Sequence, residues 1–414
     1  MQLIPTEPPP LPMFKEGAFP SKLHNSSIAT RVGIPLAICI GVCFITGLMS
    51  HYQQQPVSWL PIPAFPAWGY RLTQGLHVAT GIAAIPLLLI KLWVVTPRLY
   101  EWPPVRSILH GIERLAIFVL VSTMIFQLVT GLMNITQWYP WKFPFIQTHF
   151  AIAFVLVGAL LLHLAAKGPE IMAAIRDKKA VESNSTGEPL APASADTADE
   201  ANGSEHADGG EVGSSEHADG LSRRGFFVVA GLAAGAVTVT TVGQSFSPLE
   251  KLALLAPRVP STGPQGLPVN RTALAAAITP ALVGPAYRLV VAGTREVSLS
   301  ADQLHARDQT EVVLPIACVE GWSASGRWTG IRLSELLDEA GIDPEATIKV
   351  ISLENGAYGT TSLPSQFARH SSTLLALQLG GQTLSLDHGY PARIIAPNRP
   401  GVLQTKWVTR LEIA

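Results

Sequence analysis

Two kinds of residue in this chain could carry redox chemistry, and the first is histidine set in apolar sequence. His77, His149 and His163 lie in or at the ends of long, nearly uncharged blocks, and ionisable groups at membrane depth are rare and usually functional. His77 and His149 each open a block at the same end, so on parallel helices their imidazoles share one depth. Facing imidazoles at one depth in a helical bundle can hold a b-type haem between two axial nitrogens. His163 follows His149 by fourteen residues, which on a helix is about 21 Å further along and turned by about 40°. That spacing suits a second, inner haem, for which His110 has the right depth; His24 is a poorer candidate, and His51 belongs near the outer site. Lys91 stands fourteen residues after His77, where a symmetric scheme would want a fourth histidine, so the count is one haem or two. Without iron, these histidines would be interfacial anchors or proton carriers in a transporter-like bundle.

The second is cysteine. Of the three in the chain, Cys39 and Cys43 are one helical turn apart in an apolar block and read as packing residues. Cys318 differs: it ends the apolar run 312–317 and enters the loop Val319-Glu320-Gly321-Trp322-Ser323. A cysteine there is either buried and inert or kept for its thiolate, a soft metal ligand.

These residues need elements to position them. Apolar residues make up 48% of the 414, and charged residues only 14%, against about 25% in soluble chains. That excludes a fully soluble protein and a disordered one, and a net charge of −1 leaves no basic excess for nucleic acid. Four blocks, 32–50, 78–95, 115–133 and 150–166, each approach the span of a bilayer core. Lys15, Lys22 and Arg31 precede the first block, Lys91, Arg98, Arg106 and Arg114 flank the second connection, and Lys167, Arg176, Lys178 and Lys179 follow the fourth. The other two connections carry only Arg71 and Lys142, with Trp59, Trp68, Tyr70, Trp138, Tyr139 and Trp141 around them. Basic residues stay inside and aromatic belts mark the interfaces, so the N-terminus is expected in the cytoplasm.

Residues 180–221 hold acidic, Ser/Gly/Ala-rich sequence in which SEHADG occurs twice, with His206 and His217 in the repeats. This reads as a solvated tether. Ser222-Arg223-Arg224-Gly225-Phe226-Phe227 and the mild apolar run to Gly243 follow. They read as a twin-arginine export signal kept as an anchor, or as an ordinary fifth membrane helix. Either places the remainder outside the cytoplasm. That remainder carries strand-like runs at 287–292, 311–317, 347–353, 392–396 and 407–413 and a helix at 333–340.

The stretches GLHVATGIAAIPLLLIKLW (75–93) and TGLMNI (130–135) resemble bacterial di-haem cytochrome b membrane subunits. The resemblance implies His77, His149, His163 and His110 as haem-iron ligands. IACVEGWS, RWTGIRLSELLDEAG, DHGYPARIIAP and QTKWVTRLEI, spread over 285–414, together resemble the molybdopterin-binding domain of the sulfite-oxidase superfamily, particularly its bacterial branch. This implies Cys318 as the protein's ligand to molybdenum, and His388, Arg393, Gln404, Thr405 and Lys406 around the pterin and its phosphate. Asn270, in Pro268-Val269-Asn270-Arg271, stands where the upstream pterin-holding segment would be. Arg393 and Lys406 can supply cationic donors to a phosphate, and the turn at Thr405 backbone N–H groups. The arginine cluster of true sulfite oxidases is not evident, so sulfite is not implied as the substrate.

The expected fold is multidomain: an all-α transmembrane four-helix bundle plus a fifth anchoring helix, then an α+β mixed-sheet sulfite-oxidase-type molybdopterin domain. Its parts are a cytoplasmic N-terminus (1–30), a cytochrome b domain (31–170), an acidic flexible linker (171–221), a twin-arginine-like anchoring helix (222–245) and an extracytoplasmic molybdopterin domain (246–414). The expected protein is a multi-pass oxidoreductase of the inner cell membrane. It carries molybdenum–molybdopterin and one or two haems b, and exchanges electrons between a small-molecule substrate and quinone, the tether letting the catalytic domain dock near the outer haem. The alternative is a metal-free sulfite-oxidase-fold binding or sensor module on a membrane bundle.

Overall fold

The computed structural model describes residues 7–15, 17–57, 59–185, 222–356 and 358–414. The apolar blocks form α1 (Ser26–Gln54), α2 (Gly69–Leu99), α3 (Ile108–Thr136) and α4 (Phe145–Ser185), and the run after the paired arginines forms α5 (Arg223–Val242). All five are long and apolar enough to cross a bilayer. The helices outrun their apolar blocks, and a polar cap sets the start of α1, α3 and α5. The side chain of Asn25 accepts from Ile28 N at 2.9 Å, that of Ser107 from His110 N at 3.2 Å and that of Ser222 from Gly225 N at 3.1 Å, satisfying donors that a first turn leaves open. The longer helices set His77 and His149 inside α2 and α4 rather than at their first residues. α4 also continues to Ser185, so residues 171–185 are helical and not the start of a flexible linker. The repeats with His206 and His217 lie outside the described residues.

The bundle reverses the usual distribution of polarity. Ile38, Ile45, Leu89, Phe118, Leu161 and Leu162 are each at least 60% exposed, while Thr46, Ser50, Gln74, Gln127, Thr130 and Asn134 are buried. Such an apolar exterior is costly in water and suits lipid, where interhelical polar groups help bind helices together.

The C-terminal half contains two sheets. One has β2 (Glu296–Leu299), β1 (Leu289–Ala292), β10 (Val408–Ile413), β5 (Ile348–Ser352) and β6 (Thr360–Leu363) in that order, with β1 and β10 parallel and the other pairs antiparallel. The other pairs β3 (Thr310–Ala317) with β4 (Ser323–Arg332) and β4 with β7 (Leu374–Leu379); β7 also pairs β8 (Gln382–Thr383) and β9 (Arg393–Ile395). Helix α6 (Ala301–His305) is short, and the helix expected at 333–340 is α7 (Leu333–Glu339). α7 buries Leu333, Leu336 and Leu337 completely in the core shared with the first sheet, each worth about 1.5–3 kcal/mol of apolar burial. A second core around Trp322 and Trp328 supports the β3–β4 hairpin. The five expected strand runs correspond to β1, β3, β5, β9 and β10, whereas β2, β4, β6, β7 and β8 carry no expectation from sequence.

The two halves touch directly. α2 lacks a cap of its own at Trp68, and Asn398 of the C-terminal domain supplies one. Its Oδ1 accepts from Tyr70 N at 2.6 Å while its Nδ2 donates to Pro63 O at 2.8 Å.

Candidate functional site

The β3–β4 hairpin fixes Cys318. Ala317 pairs with Ser323, which leaves residues 318–322 as a five-residue loop at the hairpin tip, a common hairpin length. Within it Cys318 N donates to Trp322 O at 2.9 Å and Gly321 N to Cys318 O at 3.0 Å. The loop is pressed against the bundle. Gln74 Nε2 on α2 donates to Val319 O at 2.7 Å, and Asn134 Nδ2 on α3 reaches the same oxygen at 3.4 Å. Ser245, just past α5, hydrogen-bonds Gly321 O, and Gln137 hydrogen-bonds the Glu320 carboxylate. Arg258 pairs with Glu320 at 3.1 Å, and Trp322 Nε1 donates to the same carboxylate at 3.1 Å.

Cys318 is buried, 1% exposed. Burial, and then the nearby Glu320 carboxylate, push its thiol up, so without a metal it holds its proton. Burial likewise pushes Glu320 up, against the pull of Arg258.

One cavity of about 870 Å³ runs from this loop into the bundle. Its upper wall includes Asn270, Arg271, Glu320, Glu354, Gln404, Thr405 and Lys406; His77, His149, Gly47 and Gly131 line its lower part. The structure therefore brings four of the expected pterin residues, Asn270, Gln404, Thr405 and Lys406, into the same space as two of the expected haem ligands. Charges on the upper wall are mostly matched: Arg258 with Glu320, and Arg271 with Glu354 at 2.7 Å. Lys406 is not. Its Nζ donates to the carbonyls of Arg271 at 2.6 Å and Asp387 at 2.9 Å, and among the described residues no carboxylate pairs with it. Burial, aided by Arg393, pushes its ammonium down to about 7. Gln404 is 2% exposed and its Oε1 has no donor among the described residues. An orphan acceptor and an unmatched cation on one wall fit a ligand that carries N–H donors and a phosphate.

His388 and Arg393 stand behind that wall. Arg393 is 2% exposed; it donates to His388 O at 3.1 Å and Gln404 O at 3.2 Å and lies over Trp328. Burial holds it down to about 9. His388 Nε2 is within 2.7 Å of Pro264 O, and burial, then Arg393, push the ring down to about 4. Both shape the Gln404–Lys406 turn from inside the domain. Cys318 is also set back from the cavity, which its neighbours Val319 and Glu320 line.

In the bundle, the rings of His77 and His149 are 6.4 Å apart between centroids. A metal bound by two imidazole nitrogens at about 2 Å each spaces two rings by roughly 6 Å. Both Nδ1 atoms already have partners: Cys43 O at 2.9 Å for His77, and Thr130 Oγ1 at 3.1 Å for His149. Each Nε2 is thereby left for a metal, the usual second-layer arrangement of a ligating histidine. Gly47 and Gly131 keep the space beside the rings clear, since a Cβ on Gly47 would lie 3.2 Å from His77 Cε1 and one on Gly131 3.7 Å from His149 Cε1. A flat macrocycle needs that clearance. His163 on α4 and His110 near the start of α3 lie outside this cavity. Lys91 Nζ donates to Ala29 O at 2.5 Å. No group of three or more His, Cys, Asp or Glu side chains among the described residues is placed to hold a metal ion.

Sequence reading missed Gln74, Gln137, Arg258, Arg271, Glu354 and Tyr358, all of which touch the loop or line the cavity. Arg271 adjoins Asn270 and was the accessible one; the others are polar residues at helix ends or in turns, without a local pattern.

Residues 276–414 match the family described as oxidoreductase molybdopterin binding domain. A chain of Azospira oryzae assigned as the protein-methionine-sulfoxide reductase subunit YedZ1 is 33% identical over 127 residues, 30% of this chain and 48% of that one. Mitochondrial sulfite oxidase of Mus musculus is 31% identical over 157 residues, 31% of this chain and 29% of that one. The sulfane dehydrogenase SoxCD from Paracoccus pantotrophus is 25% identical with a TM-score of 0.29, covering 31% of this chain and 38% of that one. The chain thus spans about half or less of the length of these relatives. Residues 276–414 of this chain thus form an oxidoreductase domain of the molybdopterin-binding type.

Proposed function

We propose that this chain is a membrane-bound molybdopterin-dependent oxidoreductase that passes electrons between an extracytoplasmic small-molecule substrate and the quinone pool through haem b. The observation that carries the proposal is the single cavity joining the pterin-side residues to His77 and His149. In this reading Cys318 Sγ is the ligand to molybdenum. Asn270 and Gln404 meet the pterin, Lys406 and the backbone at Thr405 meet its phosphate, and Arg393 and His388 stiffen the turn that presents them. His77 and His149 hold the outer haem, and His163 and His110 are the candidates for an inner one.

When bound, a molybdenum centre supplies two-electron oxygen-atom chemistry, and a haem supplies one-electron exchange. The residues of the chain do the rest. Buried Cys318 gives up its proton to bind metal, since the thiolate is the ligand. Val319, Glu320 and the loop backbone hold that sulfur at the mouth of the bundle. Cys43 O and Thr130 Oγ1 orient the two imidazoles, and Gly47 and Gly131 leave room beside them. A sulfur oxo-compound is the substrate class, because the names of two relatives, a sulfite oxidase and a methionine-sulfoxide reductase subunit, share that chemistry.

The test is turnover of sulfite and of methionine sulfoxide by the detergent-purified chain, with haem absorbance recorded simultaneously. Substrate-dependent change in the haem band supports the reading. A chain that turns over neither compound and shows no haem band contradicts it.

A further inference from the structure

We propose that Gln74 is a positioning residue that sets the rate of electron exchange between the two cofactor sites by holding the Cys318 loop to α2. This rests on the reading above that both sites are filled. Gln74 is 5% exposed, at the contact between the halves. Its Oε1 accepts from Ser50 Oγ at 3.1 Å, which fixes the amide so that Nε2 faces Val319 O at 2.7 Å. Val319 is bonded to Cys318, the expected metal ligand. Gln74 precedes His77 by three residues, so the two project from the same face of α2 one turn apart. A short route of covalent bonds and one hydrogen bond therefore runs from the sulfur of Cys318 through the Val319 carbonyl and Gln74 to the helix that carries His77. Asn134 Nδ2 on α3 reaches the same carbonyl at the longer distance of 3.4 Å, and the loop's remaining polar contacts lead to Gln137 after α3, to Arg258 and to Ser245 after α5. Gly321 faces Val78 of α2, where an added Cβ would lie 2.5 Å from Val78 Cγ2. Each exchange moves one electron: the molybdenum centre loses it and the haem iron gains it, or the reverse. Gln74 neither gains nor loses a proton and makes no bond to either.

The experiment compares the full-length holoenzyme with Gln74→Leu and Gln74→Asn, the latter keeping an amide one methylene too short to reach Val319. Rapid mixing with substrate gives the rate at which the haem changes redox state. Haem reduction potential, molybdenum content and turnover with a reduced viologen dye that feeds the molybdenum site directly are measured alongside. The expected result in both variants is a several-fold fall in the haem rate, because the route loses its hydrogen bond. Potential, metal content and dye turnover stay at wild-type values. An unchanged haem rate overturns the proposal. So does a haem rate that falls in step with molybdenum content and dye turnover, because that is a structural role. Should Gln74→Leu fail to accumulate, Gln74→Asn is scored alone on the same readouts. Wild-type protein lacking either metal refutes the underlying reading and this proposal with it, and shows this before any variant is compared.

Discussion

Replacing Gly321 by alanine puts one methyl group between the Cys318 loop and α2. Gly321 has φ +95°, where a side chain costs about 1–2 kcal/mol. The new Cβ would also lie 2.5 Å from Val78 Cγ2 and 3.2 Å from Val78 Cβ, an overlap of the kind that costs about 1–3 kcal/mol in a packed interior. Together these amount to roughly 2–5 kcal/mol. Gly380 provides the control: its φ is +62°, and a Cβ there meets nothing within 4 Å, so Gly380→Ala carries only the backbone cost of about 1–2 kcal/mol. The difference, about 1–3 kcal/mol, belongs to the contact with α2. Denaturation of the solubilised chain, followed by tryptophan fluorescence, measures both variants. Val78→Ala closes the cycle, because deleting its two methyl groups removes the closest clash and should return about 1–2 kcal/mol of the loss in the double variant. Equal effects at Gly321 and Gly380, with no recovery from Val78→Ala, would refute the docking of the two halves.

His77→Ala or His149→Ala should abolish the outer-haem band in a reduced-minus-oxidised spectrum while molybdenum content is kept. Lys406, pushed down to about 7, is charged below that pH and neutral above it in the empty site, and a phosphate favours the charged form. Pterin retention after gel filtration should therefore weaken as pH rises through 7, and Lys406→Met should bind weakly at every pH with that slope gone. Asn398→Ala removes the cap supplied to α2 from the other half and should lower stability by about 1 kcal/mol, read as a shift in the denaturation midpoint with haem spectrum unchanged.

The helices were legible because a bilayer imposes length and apolarity at once, a signal that few other structures imitate. β3, β5 and β10 were legible because β-branched runs end at turns. β4 was not: Ser323, Ser325, Gly326, Thr329 and Gly330 dilute its apolar pattern. Gly330 is required there, since a Cβ would fall 2.1 Å from Leu375 O. β7 is a nearly continuous apolar run with no alternation, because both its faces are covered. In the candidate site, Cys318 stood out in the sequence as a cysteine at the end of an apolar strand, whereas Thr405 and Lys406 were singled out only by the family resemblance. That Arg393 would serve the turn from behind, with its donors on carbonyls, depends on how β9 packs against β7 and is absent from local sequence. The same holds for Gln74 and Asn398, whose partners lie 245 and 328 residues away. The loop that carries Cys318 is held on the bundle by specific contacts from α2, from the end of α3 and from the segment after α5.

Elemental analysis of the purified full-length chain and of Cys318→Ser decides whether Cys318 holds molybdenum beside a bundle that binds haem. The wild type should carry stoichiometric molybdenum together with iron, and Cys318→Ser should lose molybdenum with iron retained. A wild-type chain without molybdenum, or a serine variant that keeps its full complement and its activity, would contradict this reading of Cys318.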